Sequence, residues 1–594
     1  MKVLISGYYG FGNLGDEALL EALVEGLRER EPGIEITVLS KDPTQTAEVY
    51  KVETVSRYDF PQIIKTLRAA DVFISGGGGL LQDVTSFRTI PYYLGLIRLA
   101  KLMGKKVAVL GQGFGPVRSS FNKVLVKRIL NQVDLITLRD EKSYQDLLAL
   151  GVSRPPIFLT ADLTFNLEPL DKETVRRLLL KEGIVKGESP LVGLSLRSPS
   201  EGRLDYKAIA EAADYLAEKE KAKILFLPFR APSDVEESAK VINLMSSPAN
   251  VLLRAYKPRE MLAIISLLDL LIGMRLHALI FGAITNVPVI GLSYDPKVEA
   301  LLGEIQQPCL KIEKLKPDLL PMLKEVWAKK KAGEIRDLKS KARSNFDLFF
   351  EHAQPDKKIE ILGVKVDNVD LSEASSRAGE FVERRLPHLI VTPNPEMMVA
   401  AQKDSELKNI LNSADLKVPD GAGLILASRM IGRSFKERVT GIDLMLKILE
   451  LAERKGFSIY LLGSRPGMAE AAVEKLKIKY EKLKIVGFHH GYFTTEEEPD
   501  LIEKIRDLKP DILFAGLGAG RQEKWLAKYY KILNIPVVMG IGGSLDVIAG
   551  KIRRAPEWVQ KWNLEWLYRL ITEPRRWKRQ LALFKFLAMV IKPK

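Results

Sequence analysis

The sequence has little cysteine, no long apolar run and no spacing typical of a metal site. Its single cysteine, Cys309, rules out a disulfide framework, and no Cys-x-x-Cys or Cys/His spacing suggests zinc. No apolar run reaches the length of a membrane span, and Met1 leads directly into a strand pattern without the features of a signal peptide. From these absences we expect a protein of the reducing cytosol.

What the chain has in excess is positive charge, concentrated at one end. Residues 551–594 hold twelve Lys or Arg but only three Glu, and so supply nine of the fifteen net positive charges, together with four of the six tryptophans. This composition is typical of a helix at a membrane interface, although a helix that packs its Trp face on its own domain would also explain it. The apolar segment 581–591 is too short to span a membrane and contains Lys585. We found no nucleic-acid motif and expect no nucleic-acid partner.

Strand and helix patterns alternate along the whole chain, which predicts an α/β fold. A first set of buried strands is predicted at 2–6, 34–40, 71–75, 106–111 and 134–138, and a second at 191–196, 223–227, 250–253, 268–272 and 288–292. Two such sets in tandem indicate two doubly wound lobes with a cleft between them. A charge-rich stretch over about 328–357 precedes a third α/β pattern. We therefore predict lobes at 1–168 and 169–345, a linker at 346–357, a separate α/β domain at 358–550 and a basic helical tail at 551–594.

The first lobe opens with a glycine motif of ambiguous meaning. Gly10-Phe-Gly12-Asn-Leu-Gly15 follows a strand and starts a helix, as in dinucleotide-binding proteins. Asp16 and Glu17, however, lie at the helix N-terminus, where a pyrophosphate would need positive potential. A nicotinamide-binding domain therefore stays an alternative.

Further strand ends in the first half carry glycine or ionisable side chains. The glycine-rich segments 76–79 and 111–116 would let backbone amides approach an anion or a sugar, unless they are only tight turns. Gly273-Met-Arg275-Leu-His277 follows a buried strand, so that Arg275 can bind a carboxylate or phosphate and His277 can transfer a proton near neutral pH. Arg197, at another strand end, can add a second cation.

Together these first-half motifs resemble the polysaccharide pyruvyl transferase (CsaB) family over roughly residues 1–345. The resemblance implies a GT-B-like two-lobed fold and phosphoenolpyruvate as donor. It also implies that Arg197, Arg275 and His277 bind the phosphoenolpyruvate anion, with His277 as the acid. Asp16 would orient or deprotonate the acceptor. A first half that transfers sugars instead of pyruvate is a further alternative.

In the second half, two polar clusters each follow an apolar run and precede a helical pattern. They are Thr392-Pro-Asn394-Pro and Val418-Pro-Asp420-Gly. Because ligands bind at the carboxyl ends of strands in such sheets, both clusters can converge on one substrate. Asp420 is then placed to take a proton. Two turns with helix caps are the alternative.

Five ordered motifs of the second half are similar to the WecG/TagA/CpsF glycosyltransferase family over about residues 358–594. They are Thr392-Pro-Asn-Pro-Glu396, Val418-Pro-Asp-Gly-Ala-Gly-Leu424, Glu437-Arg-Val-Thr-Gly-Ile-Asp443, Gly516-Leu-Gly-Ala-Gly-Arg-Gln-Glu523 and Gly540-Ile-Gly-Gly-Ser-Leu-Asp546. One departure is Gly520, where the family often has proline.

The resemblance assigns a role to each matching residue. It implies Asp420 as general base, with Thr392 and Asn394 in the same pocket. Arg438 and Gln522 would hold the acceptor or the donor diphosphate. The nucleotide-binding segment would contain Gly542, Gly543 and Asp546. Without an Asp-x-Asp motif we expect a metal-independent transfer that inverts the anomeric centre, with no cofactor beyond the UDP-sugar and phosphoenolpyruvate co-substrates.

The resemblance also implies a lipid-linked substrate. The family's acceptor is undecaprenyl-diphosphate-linked GlcNAc, and its usual donor is UDP-ManNAc. Arg569, Arg576 and Arg579 match basic positions of the family's C-terminal appendage, which favours the membrane interpretation of the tail. We therefore predict a bifunctional enzyme of cell-wall polymer (teichoic-acid-like) biosynthesis, cytoplasmic and peripheral to the inner face of the membrane. An inert lipid-binding scaffold is the alternative from another class. A homo-oligomer is possible.

Overall fold

The computed structural model of the chain describes residues 1–84, 86–184, 187–199, 204–552 and 554–556, then residues 559, 565 and 568 and the segment 577–591. Its contacts divide the chain into two compact units, Met1–Gln354 and Pro355–Lys594. Both units are α/β, as the alternating sequence pattern predicts.

The first lobe of the first unit is a doubly wound sheet of parallel strands. Their order is β3-β2-β1-β4-β6-β7-β8, with β5 paired to β6, so the direction of winding reverses between β1 and β4. All the strands predicted here are present. The fourth continues to Phe114, so most of the segment predicted as a glycine-rich loop at 111–116 is strand. The strands are β1 Lys2–Ser6, β2 Glu35–Ser40, β3 Glu53–Ser56, β4 Val72–Ser75, β5 Gly78–Leu81, β6 Lys106–Phe114, β7 Leu135–Leu138 and β8 Ile157–Leu159. The helices are α1 Leu14–Arg30, α2 Pro43–Tyr50, α3 Phe60–Ala69, α4 Thr89–Leu102, α5 Ser120–Leu130 and α6 Glu141–Ala149.

The second lobe repeats this architecture with six parallel strands in the order β11-β10-β9-β12-β13-β14. Its strands are β9 Leu191–Ser195, β10 Lys223–Phe226, β11 Ala249–Val251, β12 Leu270–Gly273, β13 Val289–Ser293 and β14 Cys309–Lys311. Its helices are α7 Lys172–Leu180, α8 Tyr206–Lys219, α9 Ser233–Ile242, α10 Pro258–Ile265, α11 Leu276–Ile284, α12 Pro296–Glu304, α13 Leu315–Lys329 and α14 Arg336–His352. The two-lobed prediction for the first half is therefore confirmed.

Helix α14 corrects the predicted end of the second lobe. It continues through residue 345 to His352, and it packs on the first lobe instead of closing the second. Asn345 holds it there: its amide donates to the Ala161 carbonyl at 3.1 Å and accepts from the Thr160 hydroxyl at 2.9 Å. Phe346 and Phe349 are fully buried in the same core. The boundary between the two units falls after Gln354, and the predicted linker at 346–357 is mostly helix because α14 continues to His352.

The second unit is built on six parallel strands in the order β18-β17-β22-β21-β19-β20, preceded by an antiparallel pair, β15 and β16. Its strands are β15 Lys358–Ile361, β16 Val364–Asp367, β17 His388–Val391, β18 Leu416–Lys417, β19 Ser458–Gly463, β20 Lys484–His489, β21 Ile512–Gly516 and β22 Val537–Gly540. Its helices are α15 Leu371–Arg384, α16 Pro395–Ala400, α17 Ser405–Ser413, α18 Ala422–Met430, α19 Gly441–Lys455, α20 Met468–Lys479, α21 Glu498–Leu508, α22 Arg521–Leu533, α23 Ser544–Ile548 and, in the tail, α24 Trp577–Ile591.

Part of the basic tail packs on its own unit. Helix α24 contacts α16 and α18, and Phe586 is completely buried in the core. Arg569 and Arg576 lie outside the described residues, and Arg579 lies within α24. No helix of the described residues is long and apolar enough to cross a membrane.

Candidate active sites

The two polar clusters of the second unit meet at adjacent strand ends. Thr392 follows β17 and Asp420 follows β18, and these strands are paired in parallel. The carboxylate of Asp420 is half-buried, and its Oδ2 accepts the amide of Gly441 at 3.3 Å. A Cβ built on Gly441 would lie 3.5 Å from the Thr392 hydroxyl and 3.7 Å from the Asp420 carboxylate. Because Gly441 starts α19, the positive end of a fifteen-residue helix faces Asp420.

Asn394 shapes this pocket by capping the helix that borders it. Its side chain accepts the amide of Met397 at 3.0 Å, at the start of α16. Gly421 has φ +97°, and a Cβ there would come within 3.1 Å of Pro395. The tight approach of these two loops fixes the direction of Asp420. Helix capping is therefore present, and it occurs together with a half-buried carboxylate at a strand end.

The strand order predicts a ligand crevice further along the same edge of the sheet, lined by Gly463, Gly516 and Gly542. The chain leaves β19 for β20 on one side and β21 for β22 on the other, so ligand space is expected between their carboxyl ends. A Cβ on Gly463 would lie 2.6 Å from the Gly516 carbonyl, and one on Gly516 would lie 2.5 Å from the Gly542 carbonyl. The backbones of three strand ends therefore pack so closely here that only glycine fits.

Two other predicted site residues, Gln522 and Asp546, make hydrogen bonds to the loops that line this crevice. Gln522 is 3% exposed: its Oε1 accepts the amide of Gly542 at 3.0 Å and its Nε2 donates to Glu523 at 2.7 Å. In this state it fixes the loop that contains Gly542 and Gly543, and its predicted substrate contact stays a prediction. Asp546 accepts a hydrogen bond from the Ser464 hydroxyl, across the crevice from β19.

Arg438 is already paired in the structure. Its guanidinium donates to Glu565 of the tail at 2.9 Å, with both side chains largely buried. Nearby in sequence, the carboxylate of Asp443 accepts a hydrogen bond of 2.7 Å from the Arg554 guanidinium. Two described tail residues, Arg554 and Glu565, are thus tied to this edge of the unit by ion pairs. A diphosphate bound by Arg438 would have to compete with Glu565 for it.

In the first unit, His277 lies in a group of buried charges. It sits in the first turn of α11, and its Nε2 is 3.6 Å from Oδ2 of Asp162. Arg139 donates to the same Asp162 at 2.8 Å. Burial alone would raise the pKa of Asp162, but His277, Arg139 and the Thr164 hydroxyl hold it well below its usual range. A carboxylate that favours its ionised form thus lies against both an imidazole and a guanidinium.

Asp16 lies in the same group, at the start of α1. Its neighbour Asn13 caps the helix and donates to its carboxylate. Burial raises the pKa of Asp16 to about 6, while His277 opposes the rise, Glu17 adds to it, and Arg139 and Arg275 oppose it. A carboxyl with such a pKa can exchange a proton near neutral pH.

The two predicted arginines of the second lobe have partners of their own. Arg275 makes two hydrogen bonds to the buried Asp234, one of 2.9 Å from Nε. Arg197 donates to the Tyr294 hydroxyl at 2.8 Å and lies 4.8 Å from the centre of its ring. Arg275 is thus largely neutralised, whereas the partner of Arg197 is a neutral phenol. Their predicted contacts with a donor stay predictions.

Lys297 is a site residue that the sequence analysis missed. It lies in the first turn of α12 in the second lobe, yet its Nζ donates to the Gly115 carbonyl of the first lobe at 3.0 Å. A Cβ on Gly79 would be 3.8 Å from it. Burial and the nearby Arg139 lower the pKa of this amine. It therefore places a cation against both glycine-rich strand ends.

Arg139, Asp162, Asp234 and Tyr294 were missed as well. Arg139 directly follows β7, and Tyr294 directly follows β13, so the strand-end rule applied elsewhere would have found both. Asp162 lies three residues after β8, a strand that was not predicted from the sequence. Asp234 has no such signal, because it lies within α9 and only the tertiary structure brings it to Arg275. Within the described ranges, no three His, Cys, Asp or Glu side chains group so as to hold a metal ion.

Comparison with known proteins divides the chain in the same place. The sequence model of the polysaccharide pyruvyl transferase family matches residues 13–296, and that of the WecG/TagA/CpsF glycosyl transferase family matches residues 359–594. Among solved structures, UDP-GlcNAc 2-epimerase from Methanocaldococcus jannaschii is 15% identical and has a TM-score of 0.44. The match covers 59% of this chain and 99% of that one.

Two curated relatives of the second unit share one name, N-acetylglucosaminyldiphosphoundecaprenol N-acetyl-beta-D-mannosaminyltransferase. The protein from Bacillus subtilis strain 168 is 34% identical over 212 residues, which are 36% of this chain and 82% of the relative. The protein from Staphylococcus aureus strain NCTC 8325 / PS 47 is 33% identical over 239 residues, which are 40% of this chain and 93% of the relative.

Proposed function

Because the chain belongs to the WecG/TagA/CpsF glycosyltransferase family through its second unit and carries a polysaccharide pyruvyl transferase in its first, we propose that it performs two steps in the synthesis of a cell-wall polymer. The second unit transfers N-acetylmannosamine from UDP-ManNAc to undecaprenyl-diphosphate-linked GlcNAc. The first unit adds a pyruvyl ketal to a sugar of the glycan, with phosphoenolpyruvate as donor.

In the glycosyl transfer, Asp420 takes the proton of the acceptor hydroxyl. The oxygen then attacks the anomeric carbon of ManNAc, the bond to UDP breaks and the configuration inverts. The observation that supports this role is the half-buried carboxylate beside Thr392, held by the first amide of α19. The positive end of that helix favours a carboxylate at this position and directs it toward the pocket.

The charge that develops on the UDP leaving group is stabilised by the glycine crevice and by Arg438. The backbone amide of Gly543 meets the diphosphate, next to the Gly542 amide that Gln522 already holds, and Asp546 contacts the nucleoside. Arg438 exchanges Glu565 for the substrate diphosphate on binding. We propose that the transfer needs no metal ion. Transfer that persists in excess EDTA supports this, and transfer restored only by a divalent cation contradicts it.

In pyruvyl transfer, His277 supplies the proton. It protonates the methylene carbon of phosphoenolpyruvate, and one sugar hydroxyl adds to the central carbon. Phosphate then leaves, and a second hydroxyl closes the ketal; of the two hydroxyl protons, one replaces that of His277 and one leaves with phosphate. Arg139, Lys297 and Arg197 hold the donor's phosphate and carboxylate. Asp16 takes the second of these protons from the acceptor hydroxyl and passes it to the departing phosphate.

The observation that supports pyruvyl transfer is the convergence of His277, Arg139 and Lys297 from both lobes. The same region disfavours the alternative, a nicotinamide cofactor. Glu17 accepts the Gly10 amide at 2.8 Å, so the loop amide that a pyrophosphate would use is taken. The ring of Tyr9 fills the space over Gly7 and Gly76, at the reversal between β1 and β4. A bound dinucleotide would have to displace it.

We also propose that the chain acts at the inner face of the membrane. Helix α24 buries Phe586, but its opposite side exposes Phe584, Ala588 and Ile591. Helix α18, which it contacts, exposes Leu426 and Met430. An apolar surface in a strongly basic segment is suited to a bilayer with anionic headgroups.

Product analysis tests the whole assignment. The full chain is incubated with a lipid-diphosphate GlcNAc analogue and UDP-ManNAc, with and without phosphoenolpyruvate, and the products are weighed by mass spectrometry. We expect a disaccharide in both cases and a pyruvylated product, with free phosphate, only with phosphoenolpyruvate. A second sugar added by the first unit, without phosphate release, would favour a glycosyltransferase there. No sugar transfer at all would favour an inert scaffold.

A further inference from the structure

A cluster of aromatic rings surrounds a buried cation on the first lobe. Arg57 follows β3, is 8% exposed, and its Cζ lies 4.5 to 5.9 Å from four ring centroids. These rings belong to Phe11, Tyr58, Tyr92 and Tyr93. Such contacts fix the rings around the guanidinium and hold its charge just below the surface.

Two further groups complete this aromatic cluster. Tyr8 stacks on Phe11 with ring centroids 4.0 Å apart and planes 6° from parallel. Lys41 lies 5.1 Å from the centre of the Phe11 ring. Tyr58 is 62% exposed, and Tyr8 and Phe11 are half-buried. The cluster is therefore rigid from beneath and accessible from solvent.

Hydrogen bonds tie the cluster to the backbone of the strand ends. Arg57 donates to the Gly7 carbonyl at 3.3 Å, and the Tyr92 hydroxyl donates to the Arg57 carbonyl at 3.1 Å. Tyr93 donates to the same Gly7 carbonyl at 3.3 Å. The ends of β1 and β3 and the helix α4 thus hold one another in place, so that ligand binding would require little ordering.

The aromatic cluster adjoins the pyruvyl transfer centre. Tyr8 and Phe11 lie on the loop between β1 and α1, and α1 begins with the helix turn that carries Asp16. Under this loop, the buried hydroxyls of Ser6, Tyr9 and Ser75 find no hydrogen-bond partner among the described residues. Ser6 and Ser75 face each other where the winding of the sheet reverses. Rings, cations and unpartnered hydroxyls therefore meet at the expected ligand edge.

We infer that the aromatic cluster is a binding site for a pyranose ring of the acceptor glycan. The C–H face of a pyranose can lie on Tyr8 or Tyr58, while its hydroxyls reach the tyrosine oxygens and Lys41. An acyl chain is a poorer occupant, because it would strip water from Lys41 without replacing its hydrogen bonds. The inference rests on the proposed pyruvyl transfer and adds where that reaction holds its acceptor.

Acceptor kinetics test the site. Tyr8→Ala and Tyr58→Ala are made in the full chain, with Phe121→Ala as control, because Phe121 is 57% exposed on α5 and outside the cluster. With a lipid-free ManNAc-GlcNAc disaccharide and phosphoenolpyruvate, each tyrosine variant should raise the KM for the disaccharide by about three- to tenfold. The KM for phosphoenolpyruvate and the kcat should not change. An unchanged disaccharide KM in both variants would overturn the inference.

A second measurement separates this inference from the proposed reaction. Saturation-transfer NMR detects contact of the disaccharide with the native chain and with each of the three variants, without turnover. The second unit contributes equally to all of them, so a weaker signal in Tyr8→Ala and Tyr58→Ala supports the sugar site even if no ketal forms. Equal signals in all four chains would reject the site and leave pyruvyl transfer to be judged by phosphate release.

Discussion

The two candidate active sites of this chain support their key side chains by different means. In the first unit, His277 and Arg139 share the ionised Asp162, and Lys297 reaches across from the other lobe. In the second unit, Asp420 is held by a helix amide, and the crevice beside it is built from glycine backbone. The proposed reactions account for this difference, because a site that protonates a carbon and binds an anionic donor needs many side-chain charges. A site that removes one proton needs only a directed carboxylate.

The strongest test of this comparison exchanges one reactive group in each unit. Asp420→Asn should lower ManNAc transfer by about 10²- to 10⁴-fold and leave pyruvyl transfer intact, because an amide cannot accept the proton. His277→Gln should do the reverse. Both activities are followed in one assay by product mass and phosphate release.

Asp404→Asn is the matched control for Asp420. Asp404 is a carboxylate of the second unit that caps α17 through the amide of Leu407, and asparagine caps equally well. It should retain both activities. Loss of both activities in Asp420→Asn, with a native circular dichroism spectrum, would contradict two independent centres.

The pH dependence of the two reactions should also differ, by a smaller factor than the substitutions of Asp420 and His277 produce. The pKa of Asp16 is raised to about 6, chiefly by burial, so its base form is lost as the pH falls through 6. The kcat/KM for pyruvyl transfer should therefore be about tenfold lower at pH 5 than at pH 7. ManNAc transfer by the same chain is the internal reference, since Asp16 takes no part in it. If the acid limb persists in Asp16→Asn, another group causes it.

Much of this architecture could be predicted from the sequence, because buried parallel strands are apolar runs that end in polar or glycine residues. That rule alone points to Asp420, Thr392 and His277. It did not locate Asp162, because β8, which ends three residues before Asp162, was not among the predicted strands, and Asp162 meets His277 only when α11 packs on the first lobe. It also could not show that Glu565 pairs with Arg438, since 127 residues separate them along the chain.

Membrane attachment should belong to the second unit alone. Phe584→Ser in the full chain removes an exposed ring of α24, and we expect binding to phosphatidylglycerol vesicles to weaken by about three- to tenfold. Ile532→Ser is the matched control, because Ile532 is 58% exposed on α22, close to the 61% of Phe584. Cosedimentation measures both. Equal losses in the two variants would mean that general surface hydrophobicity, and not α24, holds the chain to lipid.

The smallest expected effect concerns a local contact found in both units, in which a glycine of positive φ donates its amide to a glutamate of the following helix. In the first unit, Gly10 has φ +75° and its amide is bound by Glu17; in the second, Gly520 has φ +81° and its amide donates to Glu523 at 2.7 Å. Each glutamate lies in the first turn of the following helix. The positive φ explains why Gly520 departs from the proline common in the family, since proline fixes φ near −65° and has no N–H.

Gly520→Pro should therefore destabilise the second unit by about 1–3 kcal/mol. Proline destabilises in two ways, by losing the N–H and by excluding a positive φ. Gly520→Ala keeps the N–H and meets only the strain of a positive φ, so it should destabilise the unit by about 1 kcal/mol. Calorimetry should show a lower Tm for the second unit and an unchanged transition for the first. A proline variant more stable than the native chain would mean that this loop has a second, proline-compatible conformation. The hydrogen bond from the Gly520 amide to Glu523 would then be dispensable for the stability of the second unit.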